Sequence, residues 1–285
     1  MIRRGPAGRT ITRVTDAVTA RARAVLEAAA ASGLALDVLP GSTAKIRLML
    51  DLAGLLRQAE RPLRVLDVGA GGRNNPFNLW EPFLPLCDRI ELVGADVAHL
   101  DPTRRRASEL GFPVELREAS ADGLMAAFDA GSFDVVVSTQ VLEHLPRWQD
   151  ALREMRDVLR PGGRLLVTCD SGDLALGAGA SARLGGKRAY ARVAARLPTV
   201  RAALDRVVSG EWEQGPSLDR ARDALSALGL RTLALRHYGL RDLKDVQPLA
   251  DGAARLLSLA VEEALAPGAT GLFKLLYLSA ERPPA

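Results

Sequence analysis

The stretch RVLDVGAGGR, residues 64–73, constrains this chain more than any other. Residues 64–68 read as a short buried strand with Asp67 at its end, and Gly69, Gly71 and Gly72 let the backbone turn tightly against a ligand before helix resumes. A strand, a glycine turn and a helix in that order outline a nucleotide cradle. The turn itself narrows which nucleotide. A dinucleotide fingerprint needs a third glycine for close helix packing, and the position that should supply it is Asn74. The Gly-Lys-Ser or Gly-Lys-Thr of a triphosphate-gripping loop is absent too. The loop suits a nucleoside with a small charged tail better than a pyrophosphate.

A chain of 285 residues, 48% hydrophobic, can fill the core of one large domain or of a domain with an appended lid. Aromatic residues make up only 4%, so leucine, valine and alanine must supply most of that core. The two cysteines, Cys87 and Cys169, are far apart and lack metal-ligand spacing, which points to a reduced compartment, no disulfide framework and no metal. A formal charge of +4 permits anionic partners without demanding them. No apolar run is long enough to span a bilayer, and the opening MIRRGPAGRTITR lacks the apolar stretch of a secretory signal. The expectation is a cytoplasmic protein with no membrane partner.

In chain order, residues 1–13 read as a loose arm, 14–31 as an alanine-rich helix, 34–41 as a link, and 42–60 as a second helix capped by Ser42 or Thr43. This helical segment, 1–60, is placed to cover either one end of the ligand cleft or a sheet edge. Strands and helices then alternate. Strands are expected at 64–68, 90–95, 114–118, 133–138 and 164–168, and helices at 79–87, 102–110 and 148–159, with Gly111 closing the second and Pro161-Gly162-Gly163 stopping the third. Five strands separated by helices make a doubly wound parallel α/β sheet. Residues 171–216 interrupt the pattern as a lid-like insertion. Residues 217–285 complete the sheet with a helix at 218–228, a sixth strand at 230–236, a long helical connection at 245–265, and a seventh strand at 271–279 pairing with the sixth at the sheet's edge.

In such sheets ligands bind at the carboxyl ends of the strands, and those ends carry acids. Asp67 closes the first strand, Asp96 the second, and Asp122 follows the third. Asp96 suits the paired hydroxyls of a ribose, and Asp122 can accept from an exocyclic amine. Either alone also reads as a helix cap or a solvated loop carboxylate.

RVLDVGAGGR, VGADVA, SFDVVVSTQVLEHLPRW and VLRPGGRLLVT, four motifs in register over residues 62–170, resemble the ordered motif series of class I S-adenosylmethionine-dependent methyltransferases. The likeness is to the small-molecule group that includes ubiquinone and menaquinone biosynthesis enzymes. It implies a Rossmann-like, seven-stranded, mostly parallel sheet with helices on both faces and a helical cap, with S-adenosylmethionine as cofactor. It implies further that Asp67, Gly69 and Gly71 hold the methionine portion and near ribose edge, and that Asp96, with Val97 beside it, holds the ribose hydroxyls. Asp122 falls near the adenine amine with Ala121 and Gly123 beside the ring, and Gln140 and Val141 line the cofactor near its sulfonium. One departure is Arg73-Asn74-Asn75-Pro76-Phe77-Asn78, where the family's loop continues with small residues. These six residues either make extra contacts to the cofactor or cap a delayed helix.

Methyl transfer needs an aligned nucleophile and a route for its proton. Glu143 and His144 are the catalytic candidates, His144 as a base one helical turn after Gln140, or both as hydrogen-bonded structural residues of the loop before Pro146. For the acceptor, Arg183, Lys187, Arg188, Arg192, Arg196, Arg201 and Arg206 crowd the insertion with Asp205 as their only opposing charge. They read as a solvated helical face or as recognition of an anionic or carrier-bound small molecule. Tyr190, Trp212, His237 and Tyr238 are the further candidate substrate contacts, and the long helical connection at 245–265 serves the substrate pocket or a homodimer contact. Nucleic acid fits less well, because no stacking platform interleaves the basic residues. The alternatives to a methyltransferase of specialised metabolism are a noncatalytic interaction protein on the same fold and a nucleic-acid methyltransferase.

Overall fold

The apolar runs separated by glycine turns assemble into one sheet. The computed structural model describes residues 6–71, 76–173, 215–240, 252–264 and 273–284. Its strands are β1 (Leu63–Val68), β2 (Ile90–Asp96), β3 (Val114–Glu118), β4 (Phe133–Thr139), β5 (Leu159–Asp170), β6 (Arg231–Leu240) and β7 (Phe273–Glu281), in the order β3-β2-β1-β4-β5-β7-β6. The first five run parallel, and β7 lies antiparallel to both its neighbours. Every residue of β4 from Phe133 to Ser138 is buried, as a central strand covered on both faces requires.

Alternation along the strands divides the core in two. Val65, Val135, Val137 and Leu166 face the side covered by α1 (Pro6–Ala30), α2 (Thr43–Gln58) and α6 (Gly252–Ala264), with α3 (Leu100–Leu110) at its margin. Leu66, Val68, Val136, Leu165 and Val167 face α4 (Trp148–Val158) and α5 (Leu218–Ala227). The sheet is therefore sandwiched by helices, the doubly wound arrangement expected from the sequence.

Four local expectations change. The first helix begins at Pro6 and takes in most of the expected arm, since proline is favoured at the first helical position, where no backbone donor is needed. The helix expected at 79–87 is a 3-10 segment, Glu81–Arg89, because Pro82 and Pro85 remove donors that an α-helix would use. β5 starts at Leu159, and the Pro161-Gly162-Gly163 turn is held within it by Gly162 N donating to Arg282 O and Arg282 N donating to Gly163 O. β7 does pair with β6, but it is inserted between β5 and β6, so β6 forms the edge.

At the opposite end of the sheet from the strand tips, Asp134 of β4 is a buried tie. Its carboxylate accepts from both Nη atoms of Arg61 (2.8 and 3.0 Å) and from Arg64 N (2.8 Å), and pairs with Arg160 Nε at 2.7 Å. The Asp134 side chain is 4% exposed, whereas those of Arg61 and Arg160 are 56% and 47% exposed. Asp134→Ala thus leaves two guanidinium groups that water can solvate. The cost is lost hydrogen bonds, about 2 kcal/mol, and less than stranding a buried charge would cost. Urea unfolding should show a lower midpoint with an unchanged slope.

Candidate active site

The strand order reverses between β1 and β4, whose neighbours lead away in opposite directions, and this is where a doubly wound sheet opens a crevice. A cavity of about 610 Å³ occupies it, walled by the loops after β1, β2, β3 and β4 and by Lys45 from the first turn of α2. Glycine is required at two points of that wall. Gly69 has φ +88°, and a Cβ there would fall 2.2 Å from Val141 Cγ2. A Cβ on Gly71 would fall 2.2 Å from Ala98 O and 2.8 Å from Asp96 Oδ2. Backbone of the first loop therefore presses directly on the second.

Hydrogen bonds fix that junction. Gly69 N and Ala70 N both donate to Ala95 O, and Thr103 Oγ1 of α3 donates to Ala70 O at 2.7 Å. Asp96 joins the two loops: Oδ2 accepts from Gly71 N (2.9 Å) and Oδ1 from Ala98 N (3.1 Å). Each oxygen keeps lone-pair capacity beyond that single bond. Phe77, His99 and Gln140, the three non-glycine residues with positive φ among the described residues, all line the cavity. Strained backbone is thus concentrated around one space.

Asp67 is buried at the cavity wall, where Trp80 Nε1 donates to its Oδ2 at 2.7 Å. Burial pushes its carboxyl up to about 6, against the opposing pull of the Trp80 hydrogen bond and the charge of Lys45. Burial in turn pulls the Lys45 ammonium below its usual range, with Asp67 and then Glu143 opposing the shift. Glu143 is 1% exposed and turns away from the cavity, where Oε1 accepts from Asp170 N at 3.2 Å and Oε2 has no partner. Burial moves its carboxyl up to about 7, with the nearby Asp170 charge adding to the shift. Gln140 donates through Nε2 to Asp170 Oδ1 at 2.9 Å, which turns its amide carbonyl away from that acid.

Of the residues singled out in the sequence, Asp67, Gly69, Gly71, Asp96, Val97, Ala121, Gln140, Val141 and His144 share this cavity. Asp122 and Gly123 are not in its lining. Asp122 is exposed and accepts from Ser120 Oγ, and it is Ser120 that faces the cavity. His237 and Tyr238 lie elsewhere. His237 Nε2 sits 3.1 Å from both Ser171 Oγ and Asp173 Oδ2, and Tyr238 donates to Glu263 Oε1. Arg183, Lys187, Arg188, Tyr190 and Trp212 fall outside the described residues. Sequence reasoning missed Lys45, Trp80 and His99, while Phe77 and Asn78, from the stretch that departs from the family's loop, line the cavity. The one available signal was that a carboxylate buried at a strand end needs a donor and a cation, and Trp80 and Lys45 supply them.

A family model described as "Methyltransferase domain" matches residues 66–167, which span β1 to β5 and every loop of this cavity. Residues 66–167 are a class I S-adenosylmethionine-dependent methyltransferase domain. The chain is 35% identical to a ubiquinone biosynthesis O-methyltransferase of Caulobacter sp. (strain K31) across 105 residues, 37% of this chain and 40% of that protein. It is 38% identical to the enzyme of the same name from Ruegeria pomeroyi across 109 residues, 36% of this chain and 41% of that protein. The chain thus spans about two fifths of the length of the curated relatives it matches. Among solved structures, phosphoethanolamine N-methyltransferase 2 of Haemonchus contortus, in complex with S-adenosyl-L-methionine, is similar at a TM-score of 0.53 and 16% identity, covering 82% of this chain and 52% of that one. The CurJ carbon methyltransferase is similar at 0.50 and 14%, covering 84% and 54%. At these identities the two structures speak for the methyltransferase fold alone. Among the described residues no helix is long and apolar enough to cross a membrane.

Proposed function

We propose that the protein transfers the methyl group of S-adenosylmethionine to an oxygen, nitrogen or carbon nucleophile of a small molecule. Asp96 carries the reading. Its two oxygens are oriented by Gly71 N and Ala98 N at the end of β2, which leaves the carboxylate facing the cavity with room for two vicinal hydroxyls. The rest of the wall fits the same ligand. Val97, beside Asp96, is 60% exposed, an apolar surface that with Ala121 suits the faces of a purine. Lys45 and Asp67 set opposite charges on one wall, which suits the carboxylate and ammonium of an amino-acid tail. Glycines at 69 and 71 keep side chains out of the path between the two ends.

When bound, the cofactor supplies an electrophilic methyl group on a sulfonium, so the chain has only to hold, orient and deprotonate. His144 lines the cavity beside Gln140, Val141 and Leu145, and we assign it the proton of an O–H or N–H acceptor. Glu143 takes a supporting role, bracing the end of β5 through Asp170 N. Recognition of an anionic acceptor would fall to the basic residues of the 171–216 insertion.

Calorimetric titration with S-adenosylmethionine and S-adenosylhomocysteine tests the assignment. Saturable binding of both is expected, followed by methyl transfer to members of a panel of phenols, amines and hydroxy acids. Failure of a folded wild-type protein to bind either ligand would overturn it.

A further inference from the structure

Glu262 lies in α6, on the far C-terminal side of the chain, and is 1% exposed. A carboxylate so deeply buried needs partners, and it finds them in two other elements. Thr43 Oγ1, on the first residue of α2, donates to Glu262 Oε2 at 2.6 Å, and Gly239 N of β6 donates to the same oxygen at 2.9 Å. Gly239 N also approaches Thr43 Oγ1 at 3.2 Å. Beside this junction Arg47 of α2 pairs with Glu263 at 3.3 Å, and Arg236 caps the end of α6 through the carbonyls of Glu262 and Glu263.

The start of α6 grips the same stretch of chain. A Cβ on Gly252 would fall 1.9 Å from Leu36 O, and Arg255 donates to Leu39 O. The segment from Leu36 to Thr43 is therefore held along α6 at three successive points, and it delivers the chain into α2. Ser42 Oγ accepts from Lys45 N, closing the first turn two residues after Thr43. That turn is the part of α2 that reaches the cavity, through Lys45.

We propose that Glu262, acting through Thr43, is a positioning residue that sets where Lys45 meets the amino-acid tail of the cofactor. The inference rests on the assignment of that tail to Lys45 and Asp67 made above. It gives the C-terminal helix a part in cofactor selectivity, though Glu262 is not among the residues of the cavity lining.

The test compares two ligands by calorimetry: S-adenosylhomocysteine, and 5′-methylthioadenosine, which keeps the nucleoside and thioether but lacks the amino-acid end. Lys45→Met should weaken S-adenosylhomocysteine about tenfold and leave 5′-methylthioadenosine within about twofold. Thr43→Val preserves side-chain shape while removing the hydroxyl, and should reproduce the selective loss at about three- to tenfold. Thr43→Ser, which restores the donor, should return the affinity ratio toward that of the wild type. A selective effect of Lys45→Met with an unchanged ratio in Thr43→Val overturns the positioning role and leaves the cofactor assignment standing. An equal loss of both ligands in Thr43→Val also overturns it, since that is the mark of a general disturbance. If Lys45→Met leaves both affinities unchanged, the tail assignment falls and this inference with it.

Discussion

Asparagine in place of Asp67 is expected to stabilise the folded protein at pH 8 while weakening its hold on S-adenosylmethionine. The folded-state carboxyl titrates at about 6 against an ordinary value of 3.8, because burial penalises its charged form more than Trp80 and Lys45 relieve it. A raised carboxyl means the folded state holds its proton more tightly than the unfolded chain. At acid pH, below the ordinary value, both states are protonated and the penalty on the buried charge is absent. As pH rises from 3.8 to about 6 the unfolded chain ionises first, and stability falls at about 1.4 kcal/mol per pH unit, to a total of about 3 kcal/mol. Above that window the loss is complete. Glu143 adds a second decline between 4.5 and about 7. Urea unfolding from pH 4 to pH 8 should therefore show Asp67→Asn and Glu143→Gln gaining on the wild type as pH rises, by up to about 3 kcal/mol each. Curves that stay parallel across the range would refute the assignment of buried, proton-holding carboxyls. The charge that costs stability in the free protein is the one a cationic ligand tail would neutralise, which is why the same substitution is expected to reduce affinity.

Asp96→Ala should cost about 3 kcal/mol of binding, a roughly hundredfold loss of affinity for S-adenosylhomocysteine. Two effects act together. The ligand loses a charged acceptor for its ribose hydroxyls, and Gly71 N and Ala98 N lose the acceptor that holds the two loops in register. Asp96→Asn separates them, since one carbonyl oxygen can serve only part of the set and the amide nitrogen cannot accept. Its loss should fall between wild type and alanine. An alanine variant within about fivefold of wild-type affinity would remove Asp96 from the ligand's contacts.

Much of the fold was legible because strand signals were local. β3 is Val114–Glu118 as read, its alternating VELRE bounded by Gly111–Pro113 before it, and β4 differs from its expected span by one residue, because a continuous β-branched run leaves little freedom. The insertion of β7 between β5 and β6 was not legible, since nothing in GLFKLLYLS distinguishes a neighbour of one strand from a neighbour of two. In the cavity, the residues that sequence could place were those at strand ends, where the fold puts a known position into a known crevice. Asp122 fell outside the lining because Ser120, two residues earlier, faces the cavity instead. Lys45 and Trp80 were invisible for another reason. Lys45 arrives from a helix that precedes the first strand and Trp80 from an irregular segment after the first loop, and neither periodicity nor motif fixes where such segments point.

The chain departs from the sheet and returns to it at one place. Gly172 N donates to Pro216 O at 3.0 Å, Asp173 Oδ2 accepts from Leu218 N at 2.6 Å, and Gly215 packs against the Asp170 carbonyl so closely that a Cβ would overlap it. His237 of β6 braces the departing side of this neck through Ser171 and Asp173. A loop whose ends are already joined pays for added length only through chain entropy, about 0.6 kcal/mol for each doubling. The exit after β5 and the re-entry before α5 are therefore held side by side by the residues that flank the insertion. The neck is in effect a splice point, where the chain leaves the sheet and rejoins it within one hydrogen bond of itself.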